Sequence, residues 1–135
     1  MLDKKYCQSV REDLLGYASK RREVIKSAGD AQNLSKKAIF ADQRDSSADA
    51  EKLIKQAEEL LLDLEKKYKT EPDLFSEGSY RAALEEYTEA SLFHQYLSGE
   101  TIGKIKGPTI DSDTFVGGLC DLPGEILRYA IKSAT

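Results

Sequence analysis

Four carboxylates carry the chemistry this sequence could do. Glu86 and Glu89 lie in "LEEYTEASLF" (84–93), and Asp121 and Glu125 in "GGLCDLPGEILRY" (117–129). At about 100° per residue, Glu86 falls among Ala82, Ala90, Phe93 and Leu97, where a packed helix would carry an apolar residue. Glu89 lies at the edge of the same arc, and Glu85 points away as an ordinary surface acid. Asp121 and Glu125, four apart, share a face with Thr114, Gly117, Gly118, Arg128 and Lys132. Phe115, Leu119, Leu122 and Ile126 take the opposite side. An isolated carboxylate on an apolar face is costly, and four converging acids would raise one another's pKa. A divalent cation resolves both problems, and an all-oxygen ligand set suits Mg²⁺ or Mn²⁺.

The same residues admit plainer roles. Asp121 is a possible N-cap with Pro123 just inside a new helix and Glu125 in its first turn, and Glu86 and Glu89 fit a solvated face. If the helix instead runs through Pro123, the carbonyl of Leu119 loses its partner and a kink is expected. A ferritin-like di-iron site needs Glu-x-x-His, but this chain reads "EYTE". His94, the only histidine, lies off that face and reads as a packed or surface residue. Cys7 and Cys120 have no nearby histidine pattern for nucleophilic chemistry.

Phosphate-binding candidates are also present. Lys20, Arg21, Arg22, Lys26, Lys36, Lys37 and Arg44 make the first 45 residues locally basic, as a groove following a nucleic-acid backbone requires. Ion pairs with Glu23 and Asp30 on a solvated face are the alternative. Arg128, one turn beyond Glu125, is placed either to contact a phosphate oxygen or to pair with Asp121 or Glu125.

These residues need helices to position them. Tyr6, Val10, Leu14, Tyr17, Val24 and Ala28 step by three and four, predicting a first helix that ends at Gly29 as a C-cap. Leu34, Ala38 and Ala41 predict a second segment, with Ile39 and Phe40 widening its apolar face. "RDSSAD" (44–49) offers N-caps for a third, striped by Ala50, Leu53, Ala57, Leu60, Leu64 and Tyr68 at near-heptad spacing. "TEPDLFSEGS" (70–79) interrupts the pattern, and Ser76 or Ser79 can cap a fourth helix reaching about Leu97. After the loop "SGETIGKIKGPTIDSD" (98–113), a fifth helix starts near Asp113. No strand alternation extends beyond a few residues. The expected fold is all-α, a single-domain antiparallel bundle of long helices.

Composition agrees. Of 135 residues 33% are charged and only three are proline, which favours long amphipathic helices. The net charge of −4 argues against a generally basic nucleic-acid-coating protein. Two distant cysteines form neither a CxxC metal site nor a disulfide framework, and no apolar run nears membrane-spanning length. A cytoplasmic protein is expected. The last helix is still running at Thr135, so the natural domain is expected to continue.

The two acidic motifs, with the upstream "RREVIKSAGDAQNLSKKAIFA" (21–41), resemble the translin superfamily and specifically its Trax (translin-associated factor X) branch. That branch has a Glu-Tyr-x-x-Glu-like pair on one helix and an "Asp-Leu-x-Gly-Glu-Leu" motif on another. The likeness runs from about Val10 to Ser133. It implies an α-helical bundle assembling into barrel-like octamers, with a metal-dependent endoribonuclease for single-stranded RNA in the Trax branch. By motif the catalytic, metal-holding acids fall on Glu86, Glu89, Asp121 and Glu125, most of which are replaced in the translin branch. Translin itself binds single-stranded RNA and DNA without this site, so a non-catalytic binding module is the alternative. This chain departs from the family in lacking further C-terminal helices and in its short loop between the acidic helices. Such a compact form is similar to archaeal homologues that act without a separate translin partner. A homo-oligomer with its acids facing an enclosed interior is the expected assembly.

Overall fold

The computed structural model describes all 135 residues as four α-helices and one 3₁₀ turn: α1 (Lys4–Gln43), α2 (Ser47–Lys67), the turn at Pro72–Ser76, α3 (Gly78–Leu97) and α4 (Ser112–Ala134). The all-α expectation holds, with one fewer helix than the sequence pattern predicted.

Gly29 does not end a helix. It lies inside the 40-residue α1, which starts from Asp3, whose carboxylate accepts from the backbone N–H groups of Lys5 and Tyr6. A mid-helix glycine costs about 1 kcal/mol relative to alanine. Burial on both sides of it offsets that cost. Val24, Ala28, Ala31, Ser35 and Ala38 are all fully buried, a small-residue seam that lets α2 and α3 approach closely.

Arg44 to Ser46 turn the chain back, so α2 lies antiparallel to α1. The predicted stripe is present, with Ala50, Ala57, Leu64 and Tyr68 buried and Leu53 and Leu60 partly so; Leu61 is buried as well. The capping serines proposed for α3 are not used: Glu77 occupies the N-cap position without a side-chain cap bond. Arg21–Glu77 and Asp42–His94 contacts show that α3 runs in the same direction as α1, antiparallel to α2.

Segment 98–111 then runs back along the bundle. The Gln95 amide donates to the Lys104 carbonyl, the Tyr87 hydroxyl to the Lys106 carbonyl, and Thr109 to the Glu65 carboxylate. This return leaves α4 running in the same sense as α3. Helix α4 begins at Asp111, whose side chain accepts from the Thr114 N–H, and continues through Pro123. The alternative in which Asp121 caps a new helix is therefore excluded. Leu122 is buried beside Phe93 and Ala90, whereas Leu119, expected on the apolar side, is 41% exposed. Phe40 likewise fails to widen the buried face of α1 and is 51% exposed.

Candidate metal centre

Helix α3 carries little one-sided amphipathicity because neighbours surround it. Tyr87 to Phe93 are buried without a break, and Glu89 is among them at 9% exposure. Helix α4 closes over this stretch at two glycines. A Cβ on Gly118 would stand 2.6 Å from Thr88 Cγ2 and 3.1 Å from the Glu89 backbone N, and one on Gly117 would stand 2.8 Å from Glu85 Cδ. Only glycine at 118 lets the α4 backbone come this close to α3. That approach brings the two acidic pairs together.

Glu86, Glu89 and Asp121 line one cavity of about 210 Å³, together with Glu85, Gln32 and Ala82. Glu125 lines the adjoining cavity of about 260 Å³ with Lys36, Ile39, Phe40, Arg128 and Glu86, which belongs to both. All four predicted acids are therefore assembled around Glu86. Glu85, read as a surface acid, is exposed but borders the same cavity. The angular position of Glu85 relative to the apolar arc of α3 does not reveal that α4 packs beside it. Gln32 carried no sequence signal at all.

Electrostatics record the crowding. Burial pushes the Glu89 carboxyl up to about 7, reinforced by Glu86, Asp121, Glu125 and Glu85. Burial also raises Glu86, with Asp121, Glu125 and Glu85 adding to the rise and Lys36 opposing it. Lys36 is thus the positive group that meets Glu86. No hydrogen bond contributes to either shift, so both carboxyls remain free to take a ligand. As they stand, no three of the acids meet at one point within metal-ligating distance. The donor set nevertheless fits a hard divalent cation: it is all carboxylate oxygen, it comes from two facing helices, and its members repel one another. Asp121 is exposed and Glu86 half-buried, so neither side chain is locked in place by packing.

Glu125 is held differently. The Gln43 amide Nε2 donates to Glu125 Oε2 at 2.8 Å and to the Glu125 carbonyl at 2.9 Å. Gln43 is in turn anchored by its own carbonyl, which accepts from Lys132, while Tyr129 donates to Asp45 at 2.5 Å. Arg128 approaches Glu125 at 3.9 Å with its side chain 62% exposed.

The basic residues divide. Lys20 and Arg21 pair with Glu71 (2.6 Å) and Glu77 (2.5 Å), about 24 Å along α1 from Lys36 at 1.5 Å per residue. Arg22 is exposed at that same distant end, and Lys37 and Arg44 are exposed near the acids without lining their cavities. Lys36 and Arg128 are the two cations the fold brings to the site. His94 donates from Nδ1 to the buried Asp42 at 3.0 Å and is a packed histidine, as its position suggested. Both cysteines are exposed and free, far apart in the chain. A separate cavity of about 580 Å³, around Tyr80, Arg81 and Asp111, contains none of the four acids.

A helical bundle with a paired-acid cleft between two parallel helices is thus the class defined by fold and site. The chain belongs to the Translin family, whose model matches residues 19–135. Its fold is similar to that of a solved structure described as "Crystal structure of apo-NeC3PO", with a TM-score of 0.84 at 23% identity. The match covers 99% of this chain and 70% of that one. Among curated proteins none matches significantly. No helix is long and apolar enough to cross a membrane.

Proposed function

We propose that this Translin-family chain is a Trax-like, metal-dependent endoribonuclease for single-stranded RNA, with Glu86, Glu89, Asp121 and Glu125 holding Mg²⁺ or Mn²⁺. The observation that carries this reading is the buried Glu89 carboxyl surrounded by four other acids, in a cleft that Gly118 keeps narrow. Such an arrangement destabilises the fold without a cation and gains a role with one. It is also the acid set that distinguishes the Trax branch by resemblance.

Held by Glu86, Glu89, Asp121 and Glu125, a divalent ion would supply activation of the attacking group and neutralisation of charge on the phosphate. The chain's own residues do the rest. Glu86 and Glu89 on α3 face Asp121 on α4 across the cleft, and Gln43 fixes the orientation of Glu125. Lys36 and Arg128 offer the phosphate two positive contacts at the mouth of the site. Neither cysteine lines the site, so no thiol nucleophile is at hand there and this reading assigns the attack to water.

Exposed apolar faces support a homo-oligomer. Tyr6, Leu14 and Leu15 near the start of α1 and Leu127 and Ile131 on α4 are all more than half exposed, apolar side chains at two ends of the bundle that further copies of the chain would cover. The alternative function, a non-catalytic single-strand binding module, predicts RNA binding that survives loss of the acids. Incubating single-stranded RNA with the protein in Mg²⁺ and in excess EDTA separates the two: the nuclease stops in EDTA, while the pure binder shows no cleavage in either.

A further inference from the structure

Phe40 is an aromatic side chain in the wrong environment for its type. It follows Ile39, which is 4% exposed, and precedes Ala41, which is 1% exposed, yet it is itself 51% exposed. It sits one turn after Lys36 on α1 and four residues before Arg44, the residue that caps the helix end. Its ring lines the cavity of about 260 Å³ that holds Lys36, Glu86, Glu125 and Arg128. That cavity joins the acid cavity through Glu86.

An exposed aromatic ring flanked by cations and adjoining a carboxylate site matches one ligand class closely. Bases of single-stranded nucleic acid stack on aromatic faces irrespective of sequence, while Lys and Arg take the phosphates. We infer that Phe40 is a base-stacking platform: the nucleotide next to the phosphate held at the acids lays its base on the Phe40 ring, with Lys36 and Arg128 on its phosphate. This rests on the nuclease reading for the position of the reacting phosphate, but not for the stacking itself. Stacking on one ring selects for unpaired bases, since a base inside a duplex has no free face. A single-strand preference follows from this site alone. Discrimination among the four bases does not follow from stacking, because every base has a π-face.

A second copy of the chain covering Phe40 is the competing occupant. The observations favour the nucleotide, because the ring shares its cavity with two cations, Lys36 and Arg128. Exposure of Phe40 also means that its replacement leaves the core intact.

The test compares the parent, Phe40→Ala and Phe40→Trp on two labelled single-stranded oligouridylates, one of them carrying an abasic residue beside the cleavage position. Binding is read by anisotropy in EDTA, cleavage by steady-state kinetics in Mg²⁺, and oligomeric state by light scattering. Phe40→Ala is expected to weaken binding of the intact oligomer about tenfold, raising KM while kcat changes little. Phe40→Trp restores it, and the abasic oligomer binds parent and Phe40→Ala equally. An intact oligomer bound equally by parent and Phe40→Ala overturns the inference, as does an equal loss on the abasic one. Dissociation of the assembly in Phe40→Ala without base dependence assigns the ring to a second copy instead. A parent that binds RNA in this base-dependent way but never cleaves it removes the nuclease reading and leaves the platform standing. A parent that binds no RNA overturns both.

Discussion

The Gln43 side-chain amide reaches across from the end of α1 and donates twice to one residue of α4, to Glu125 Oε2 at 2.8 Å and to its carbonyl at 2.9 Å. These two bonds fix which way the amide is turned, since only its NH₂ can face two acceptors. They leave Gln43 Oε1 buried without a partner. A buried, unsatisfied polar atom costs stability, so packing alone does not account for a glutamine here. Its value lies in aiming Glu125. Gln43→Leu should lower Mn²⁺ affinity of the folded protein by about 10-fold or more, the usual effect of losing a partner that orients a metal ligand, whatever stability the lost hydrogen bonds cost. Calorimetric titration of the folded protein with Mn²⁺ measures this. Equal affinity in the two proteins would reduce Gln43 to a packing residue.

Gly118 makes the second prediction. A methyl group there meets the Thr88 side chain at 2.6 Å and the Glu89 backbone N at 3.1 Å. Thr88 cannot turn away freely, because it is fully buried and its hydroxyl donates to the Leu84 carbonyl. Gly118→Ala should therefore cost about 1–3 kcal/mol by overpacking and separate α4 from α3. Both stability and Mn²⁺ affinity fall. Gly124→Ala, where a Cβ meets nothing within 4 Å, is the control and should leave both intact. Urea unfolding of the two variants gives the comparison; similar midpoints would show that the helices are not held this closely.

Much of this arrangement was legible in the residue types, and the reasons it was not wholly so are physical. Wheel position placed Glu86 and Glu89 inside the structure because α3 is buried on nearly every side. It placed Glu85 at the surface, where it is, but could not show that Glu85 borders the acid cavity, because that is set by α4, far on in the chain. Gly29 looked like a helix end from local propensity, but a seam of alanines packed against two helices outweighs one glycine. The parallel course of α4 depends on segment 98–111 docking along α3, through hydrogen bonds that no local pattern encodes. Lys20 and Arg21 showed only their charge. Their partners, Glu71 and Glu77, are brought to them by the turn after α2.

A pH dependence follows from the raised carboxyls. Glu89 titrates at about 7 in the folded protein, against 4.5 for its ordinary value. Between those values the folded state holds a proton that the unfolded state has released. Stability in EDTA should therefore fall as pH rises from about 4.5 to about 7, with Glu86 and Asp42, also raised by burial, acting in the same sense. Mn²⁺ must displace that proton, so its stabilising effect should grow over the same interval. Glu89→Gln should flatten the EDTA profile markedly. Thermal melts from pH 4.5 to 8 provide the readout, and a profile unchanged by Glu89→Gln would contradict the shift.

The exposed apolar residues of α1 and α4 predict self-association. Light scattering across a concentration series should give a mass above that of the single chain, and Leu127→Glu with Ile131→Glu should lower it. A strictly monomeric parent would mean that these faces remain open in solution.

The central claim is that the acids hold an ion that cuts RNA, and one measurement addresses it most directly: cleavage of a single-stranded RNA in Mn²⁺ by the parent, by Glu89→Gln and by Asp121→Asn, each with its Mn²⁺ affinity measured on the same sample. The expected result is internal cleavage by the parent that EDTA abolishes, with activity in both variants reduced at least 100-fold and Mn²⁺ binding weakened in parallel. Cleavage by either variant at the parental rate, or a parent that binds neither Mn²⁺ nor cuts RNA, would contradict it.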